Sequence, residues 1–194
     1  MKKKKIILGS SSKFRKDLLR TLNLDFTCIS PNINESQHNN EKPEKMAIRL
    51  AIEKAKKICF QEINSLVISS DACASCKGKI LGKPLTREIA IEYLEFISNK
   101  TIVFHTSICV MDSDTMEYKT DIAKYTIKIK KLNKNDIINY VDTHEPYYSS
   151  AAFRYEVAKD FLIKEFNDEE DDISGLIGLP LKKLTKILKE YNAL

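Results

Sequence analysis

Hydrophobic positions near the start of the chain predict a strand followed by two helices. The apolar run within residues 4–9 predicts a short buried strand. Three serines follow and lead into a helix over Lys13 to Leu22, whose apolar residues share one side. A second helix is predicted from Glu44 to Phe60, because alanine and aliphatic residues recur there at helical spacing. Residues 30–43 lie between the two helices and predict a polar loop.

The rest of the chain predicts strands that alternate with helices. An apolar strand over residues 65–69 leads into Asp71, which would place a carboxylate at a strand end. Lys77-Gly78-Lys79 predicts a turn, and Thr86 predicts the N-cap of a helix that continues to about Ser98. The further predicted elements are an antiparallel hairpin over 101–111 and 117–130, a short helix over Asp136 to Val141, a strand around 161–163 and a last helix that starts at Pro180. This order predicts an α/β fold with a mixed sheet flanked by helices.

Length and composition favour one globular domain. The chain has 194 residues, of which 43% are apolar and 30% charged, so it can build a core, and we expect a single domain over residues 1–194. No apolar run approaches the roughly 18 residues that span a bilayer. The apolar run behind the N-terminal lysines is also too short for a secretory signal. Five cysteines, an odd number, do not suggest a disulfide framework, which favours a cytoplasmic location.

The positive charge of the chain is concentrated near its start. Residues 1–57 contain 14 Lys and Arg against 6 Asp and Glu, whereas the formal net charge of the whole chain is +5. This favours either a solvated, lysine-rich surface or an anionic ligand such as a nucleotide. A nucleic-acid partner is not expected, because the basic segment lacks interleaved aromatic residues and a known nucleic-acid motif.

Three features could carry chemistry, and each also has a purely structural interpretation. The serine turn at residues 10–12 is either a helix N-cap or, with Lys13 and Arg15 beside it, a phosphate site. Lys54 falls on the apolar side of the second helix, where it either snorkels to the edge or meets an anion in a cleft. Asp71 either caps a turn or acts as a metal ligand or general base.

Three apparent motifs do not meet the requirements of the sites they suggest. The segment 78–83 has three rather than four residues between its glycines and a proline after Lys83, so it is not a Walker A loop. Lys83 still presents a cation that suits a phosphate. The C-x-x-C at residues 73–76 has no second pair for zinc, which favours structural thiols. The acidic run within residues 165–172 lacks the spacing of a calcium loop and favours a solvated loop.

Several short segments occur in an order that is itself informative. They are Leu8 to Leu19, close to S-x-S-P-x-R; Pro31 to Glu35, which fits P-x-I-x-E; Leu50 to Ala55, which fits L-A-x-x-K-A; Ser70-Asp71; Ile80 to Pro84, which ends in G-K-P; and Gly178 to Leu181, which begins with G-L-P. Together they resemble the motifs of the Maf family of nucleoside triphosphate pyrophosphatases, and the match runs from Ile6 to Leu188.

This resemblance implies a fold, a reaction and roles for particular residues. The fold is an elongated α/β fold with a central mixed sheet and a nucleotide cleft, and the reaction is hydrolysis of a nucleoside triphosphate to the monophosphate and pyrophosphate. Asp71 matches the proton acceptor, and Glu35 and Asp71 match positions that bind a divalent metal cation, Mg²⁺ or Mn²⁺. The positions that match the phosphate site are Ser10, Arg15, Lys54 and Lys83. The implied partners are the nucleotide substrate and a second copy of the chain in a homodimer.

Three further positions bear on which nucleotide is used. Phe14 before Arg15, together with Glu156, is similar to the branch of the family that acts on 7-methyl-GTP, and Ala72 stands at another specificity position. A methylated guanine carries positive charge, which an aromatic face and a carboxylate would favour. Two alternatives stay open. They are a dTTP or UTP pyrophosphatase of the same family and a non-catalytic, nucleotide-binding regulator of cell division.

Overall fold

A computed structural model of the protein describes residues 4–168 and 171–194, which form two compact units. Unit 1 comprises the chain up to Ala72 together with Thr106–Ala123 and Asp172–Leu194. Unit 2 comprises Cys73–His105 and Lys124–Asp171. The expectation of a single domain stays a prediction.

The described residues form seven strands and seven α-helices. The strands are β1 (Lys5–Leu8), β2 (Phe26–Cys28), β3 (Ser65–Cys76), β4 (Lys79–Leu81), β5 (Thr101–Asp112), β6 (Tyr118–Ile129) and β7 (Ile163–Asp168). The α-helices are α1 (Lys13–Arg20), α2 (Pro43–Cys59), α3 (Arg87–Ile97), α4 (Lys134–His144), α5 (Tyr155–Phe161), α6 (Ser174–Ile177) and α7 (Leu181–Glu190). Two short 3-10 turns, Pro146–Tyr148 and Ser150–Ala152, lie between α4 and α5.

The strands form one mixed sheet. Its order is β2-β1-β3-β5-β6-β7, and β4 pairs with β3 outside that path. β1 runs parallel to β2 and β3, whereas the β3–β4 and β6–β7 pairs are antiparallel. Parallel neighbours need a crossover connection, which α1 and α2 supply between β1, β2 and β3. The predicted α/β fold with a mixed sheet is confirmed.

Successive residues of β1 enter different cores of unit 1. Ile7 packs into a core that includes the small α2 residues Ala51 and Ala55, whereas Ile6 and Leu8 pack into a core with residues of α1 and α7. Adjacent residues of a strand face opposite sides of its sheet, so the sheet is covered on both faces in this unit. All five cysteines are free thiols. Cys28 is exposed, and the other four are buried.

Unit 2 contains two capped helices and a tight hairpin. The Thr86 side chain accepts a hydrogen bond at the start of α3, and Asn133 forms a capping box with Asp136 at the start of α4. Lys77 and Gly78 join β3 to β4 with φ of +48° and +80°, the pattern of a two-residue type I′ turn. The predicted turn and the predicted Thr86 cap are therefore confirmed.

Several predicted boundaries are wrong. β3 continues to Cys76, so Asp71 lies inside a strand rather than at its end. The reason is that β4 supplies pairing partners from Ala74 onward, and this pairing overrides the low strand propensity of the alanines. The strand predicted around 161–163 begins only at Ile163, because Phe161 ends α5.

The acidic run predicted as a solvated loop is only partly described. The prediction is wrong for Glu165 and Asp168, which belong to β7, while residues 169–170 lie outside the described residues. No helix in the described part of the chain has both the length and the apolar character needed to cross a bilayer.

Candidate active site

The serine turn between β1 and α1 is organised by its own hydroxyl groups. Ser12 is the N-cap of α1, since its Oγ accepts from the backbone N–H of Arg15 at 3.4 Å. Ser10 is buried, and its Oγ accepts from the backbone N–H of Ser12 at 3.1 Å. The first turn of α1 carries no acidic residue. The cap interpretation is therefore confirmed for Ser12, and the phosphate interpretation of the turn stays a prediction.

The Arg15 side chain is held by a glycine turn from the C-terminal part of unit 1. Its Nε donates to the carbonyl oxygen of Gly178 at 2.9 Å, and the Ser70 hydroxyl donates to the same oxygen at 2.8 Å. Gly178 has a φ of +136°, where an L side chain is strained, and a Cβ there would lie 3.5 Å from Arg15. This turn therefore orients the guanidinium through one of its five N–H donors.

Arg15 shares its electrostatic environment with two carboxylates. Burial lowers the pKa of the Arg15 guanidinium, and the charges of Asp71 and Glu35 oppose that shift. Arginine stays protonated in proteins, so the consequence is a poorly hydrated cation rather than a neutral group. Such a cation gains more from an anionic ligand than a fully hydrated one does, because water screens it less.

Lys54 lies between the same two carboxylates. Its Nζ donates to Asp71 Oδ1 at 2.5 Å and lies 2.8 Å from Glu35 Oε1. Lys54 and Asp71 are 5% and 8% exposed, whereas the Glu35 side chain is 48% exposed. The Lys54 ammonium therefore does not snorkel into water but meets carboxylates of the protein itself, and its role as a phosphate ligand stays a prediction. A buried ammonium needs such partners, because an unpaired buried charge is strongly unfavourable.

β3 places these groups through the alternation of its side chains. The Ser69 hydroxyl donates to the Ala51 carbonyl of α2 at 2.6 Å, and Asp71, two residues later, meets Lys54 on the same helix. Ser70, between them, donates instead to the Gly178 turn. Adjacent strand residues point to opposite faces, so one short stretch of β3 contacts both neighbouring elements.

A second hydroxyl from the sheet also fastens α2. Ser107 of β5 donates to the Ala47 carbonyl at 2.6 Å and lies 3.3 Å from the backbone oxygen of Asp71. Ala47 and Ala51 are fully buried, and their small side chains let the helix backbone come this close to the sheet. These hydrogen bonds fix the position of α2 along its axis and its rotation about that axis. They therefore also fix Lys54, which lies one to two turns further along the helix.

Lys83 lies in unit 2, exposed on a loop that is held by its main chain. The backbone N–H of Ala151 donates to the Gly82 carbonyl at 3.0 Å, and the N–H of Leu85 donates to the Tyr147 carbonyl at 3.0 Å. Leu85 and Ala151 have φ of +65° and +56°, a region that side-chain-bearing residues rarely adopt. Lys83 forms no salt bridge with a described residue.

The three positions assigned to nucleotide specificity have different surroundings. Phe14, adjacent to Arg15 in α1, is 43% exposed, so part of its ring can contact a ligand. Ala72 follows Asp71 in β3 and is half-buried. Glu156 is exposed in the first turn of α5 in unit 2, where a carboxylate also interacts favourably with the helix dipole. Their roles in specificity stay predictions.

Unit 1 contains most of the predicted site residues. Ser10, Arg15, Glu35, Lys54 and Asp71 all belong to it, whereas Lys83 and Glu156 belong to unit 2. The groups that orient Arg15, Ser70 and the carbonyl of Gly178, are not among the site residues predicted from the sequence. A signal for the turn was present, because a glycine directly before Leu-Pro indicates a backbone that a side chain would not tolerate.

Comparisons with known proteins agree on a family and a fold. A family model described as "Maf-like protein" matches residues 5–191. A protein of Colwellia psychrerythraea named 7-methyl-GTP pyrophosphatase is 39% identical over 188 residues, which cover 97% of this chain and 93% of the relative. A protein of the same name from Methylobacillus flagellatus is 38% identical over 183 residues, covering 94% of each chain. The solved structure of the Staphylococcus aureus Ham1 protein has a TM-score of 0.50 at 18% identity, covers 81% of this chain and 91% of that one, and shows likeness of fold alone.

Proposed function

The chain belongs to the Maf family, and on that premise we propose that it hydrolyses a nucleoside triphosphate, 7-methyl-GTP in particular, to the monophosphate and pyrophosphate. The observation that carries this proposal is the buried Lys54 between Asp71 and Glu35, with the Arg15 guanidinium in the same environment. Cations and carboxylates are the two kinds of group that phosphoryl chemistry needs. The names of the relatives support the choice of nucleotide.

The cations of the site suit the phosphates of the substrate. Arg15 offers a planar set of donors that matches phosphate oxygens, and Lys54 and Lys83 act as point charges. Ser10 adds a hydroxyl next to the N-terminus of α1. In this proposal these groups hold the triphosphate and neutralise the charge that develops on the leaving pyrophosphate.

Asp71 is the group that we assign to proton transfer. Its Oδ1 accepts from Lys54, which fixes the carboxylate and leaves Oδ2 to accept a proton from water. The water oxygen forms a bond to the α-phosphorus, the bond from that phosphorus to the bridging oxygen breaks, and pyrophosphate leaves with the electron pair. One proton of the water passes to Asp71, and the other stays on the oxygen that becomes part of the monophosphate and is released to solvent.

The donor set also fits a divalent cation. The Glu35 and Asp71 carboxylates lie near each other because both contact Lys54 Nζ, and carboxylate and phosphate oxygens are ligands that Mg²⁺ and Mn²⁺ accept. The described ranges contain no group of three or more His, Cys, Asp or Glu side chains that could hold a metal. Oxygens of the substrate would therefore complete the ligand set around Glu35 and Asp71. The two positive charges of Arg15 and Lys54 equal the two negative charges of Glu35 and Asp71. A bound triphosphate adds further negative charge, which a divalent cation would offset. When bound, such a cation polarises the phosphoryl oxygens.

The preference for a methylated guanine is assigned to Phe14 and Glu156, with Ala72 as a third specificity position. An aromatic face attracts the positive charge of the methylated ring, and a carboxylate does the same at a base edge. A cytoplasmic location and a homodimer are also part of the proposal. Light scattering coupled to size-exclusion chromatography tests the dimer.

The decisive experiment is pyrophosphate release by the purified protein with Mg²⁺ or Mn²⁺ across 7-methyl-GTP, GTP, dTTP, UTP and CTP. We expect the highest kcat/KM for 7-methyl-GTP. A preference for dTTP or UTP would keep the reaction and overturn the choice of nucleotide. Binding of these nucleotides without release of pyrophosphate would favour the non-catalytic regulator instead.

A further inference from the structure

The segment that carries Glu35 has no helix or strand of its own. Residues 29–42 run from β2 to α2 without regular secondary structure, and Glu35 lies in the middle of them. The Glu35 side chain is 48% exposed, and an ion pair exposed to that extent contributes little to holding a chain segment in place. A contact from α2 to the residue after Glu35 also bears on where this carboxylate lies.

Arg49 supplies that contact from the first half of α2. Its Nε and Nη2 donate to the two carboxylate oxygens of Glu41 at 2.6 and 2.8 Å, the bidentate geometry that arginine favours. Nη2 also donates to the carbonyl of Ser36, the residue after Glu35, at 3.1 Å. Nη1 donates to Glu53 at 3.1 Å, which fixes the guanidinium on its own helix.

Glu41 extends the contact to the rest of the segment. Its Oε2 accepts from the backbone N–H of His38 at 3.0 Å, and its backbone oxygen accepts from Gln37 Nε2 at 2.9 Å. The Arg49 and Glu41 side chains are only 17% and 9% exposed, so water screens the pair weakly. Arginine in the ion pair lowers the pKa of Glu41 to about 2, so its carboxylate stays ionised near neutral pH.

We propose that Arg49 is a positioning residue for the active site, which acts by holding Ser36 and Glu41 so that Glu35 stays next to Lys54. Arg49 and Lys54 are five residues apart on one helix. The same helix therefore carries Lys54 and holds the segment that contains Glu35, the exposed carboxylate partner of Lys54. The inference rests on the proposed function, in which Glu35 binds the divalent cation. Arg49 itself touches neither substrate nor metal in this proposal.

Unit 2 offers a matched control. Arg87 of α3 donates through Nε and Nη2 to the two oxygens of Asp142 of α4 at 2.6 and 2.9 Å. This pair has the same bidentate geometry as the Arg49–Glu41 pair but joins two helices and no site residue. Substituting lysine for either arginine keeps the charge and removes the two-point geometry.

The test compares Arg49→Lys with Arg87→Lys by steady-state kinetics. We expect Arg49→Lys to raise the Mg²⁺ concentration for half-maximal pyrophosphate release by about tenfold and to lower kcat, since groups that orient metal ligands typically have effects of 10–100-fold. Nucleotide KM at saturating Mg²⁺ should change little, and Arg87→Lys should change none of these values. Unaltered Mg²⁺ dependence in Arg49→Lys would overturn the proposal.

Amide hydrogen exchange gives a second readout that does not require activity. In Arg49→Lys, we expect the amides of residues 36–41 to exchange faster, while those of β3 and α7 keep their wild-type protection, which also establishes that the variant is folded. Wild-type exchange rates in residues 36–41 would contradict the role of Arg49. If the wild-type protein released no pyrophosphate from any nucleotide, the proposed function would fail by itself, and exchange would still decide whether Arg49 holds the segment.

Discussion

The family resemblance matches both Lys54 of unit 1 and Lys83 of unit 2 to phosphate-binding positions, yet the surroundings of the two lysines are opposite. Lys54 is buried on a helix and contacts two carboxylates at 2.5 and 2.8 Å. Lys83 is exposed on a loop that two backbone hydrogen bonds hold through Gly82 and Leu85. Unit 1 thus positions charge by side-chain contacts in a poorly solvated place, and unit 2 positions it by the path of its main chain.

This difference between the two lysines predicts which properties a substitution in each unit should change. Removing a buried charged group leaves its partner without compensation, so effects in unit 1 should reach both turnover and stability. An exposed lysine is well solvated with or without a ligand, so its loss should mainly weaken binding. The following experiments test this contrast, beginning with the largest expected effect.

Asp71→Asn should have the largest effect, because it keeps the size of the side chain and removes the proton acceptor. We expect kcat to fall by about 10²–10⁴-fold, as for loss of a general base. Asp112→Asn is the matched control, since Asp112 also accepts from a lysine, Lys4, in unit 1. Its kcat should stay at the wild-type value, and wild-type turnover in Asp71→Asn would exclude the assigned role.

Lys54→Met should destabilise unit 1, because Asp71 is then buried without its ammonium partner. We expect the free energy of unfolding, measured with urea, to fall by about 2–3 kcal/mol. This loss is smaller than the usual 3–5 kcal/mol for a fully buried pair, because Glu35 is half exposed. The double variant Lys54→Met/Asp71→Asn should recover part of that loss. Additive losses in the double variant would show that the two side chains do not interact.

Lys83→Ala should affect binding more than turnover. We expect nucleotide KM to rise by about three- to tenfold, as for loss of one exposed charged contact, with kcat changed less. Lys134→Ala removes another exposed lysine of unit 2 and should leave KM unaltered. A loss of kcat in Lys83→Ala as large as that in Asp71→Asn would remove the contrast between the two units.

Leu85→Asn should have the smallest effect and the opposite sign. Leu85 has a φ of +65° and is 61% exposed, and asparagine tolerates this conformation better than leucine does. We expect stability to rise by about 0.5–1 kcal/mol, measured by urea unfolding. Leu85→Ala is the comparison, and equal stability of the two variants would mean that the main chain of this loop stores no strain.

Much of the fold follows from local patterns that no tertiary contact overrides. The alanine stripe of α2 and the Thr86 cap depend on residues close in sequence, so periodicity and capping preferences identify them. β2 was missed because three half-buried or exposed residues carry no alternation, and it exists through its pairing with β1. β3 was predicted too short because Ser-Ser-Asp resembles a turn, and only its pairing partners make it a strand.

The candidate site was predictable as a set of residues but not as an arrangement. Lys54 stood out because a lysine on a buried helical stripe requires a partner, and that partner proved to be Asp71. Arg49 gave no such signal, since an arginine on a helix is ordinary until the segment that it holds is placed against it. Contacts between a loop and a helix depend on the course of the loop, which side-chain periodicity does not describe.

The distribution of cysteines gives the molecule a built-in attachment point. Burial raises the pKa of Cys59 to about 11 and that of Cys109 to about 12, which keeps both as unreactive thiols at neutral pH. Cys28 is exposed at the end of β2, paired in register with Leu8, which leads into the serine turn. A maleimide fluorophore should therefore label the native protein at one place without mutagenesis, on the strand that pairs with the one leading into the serine turn.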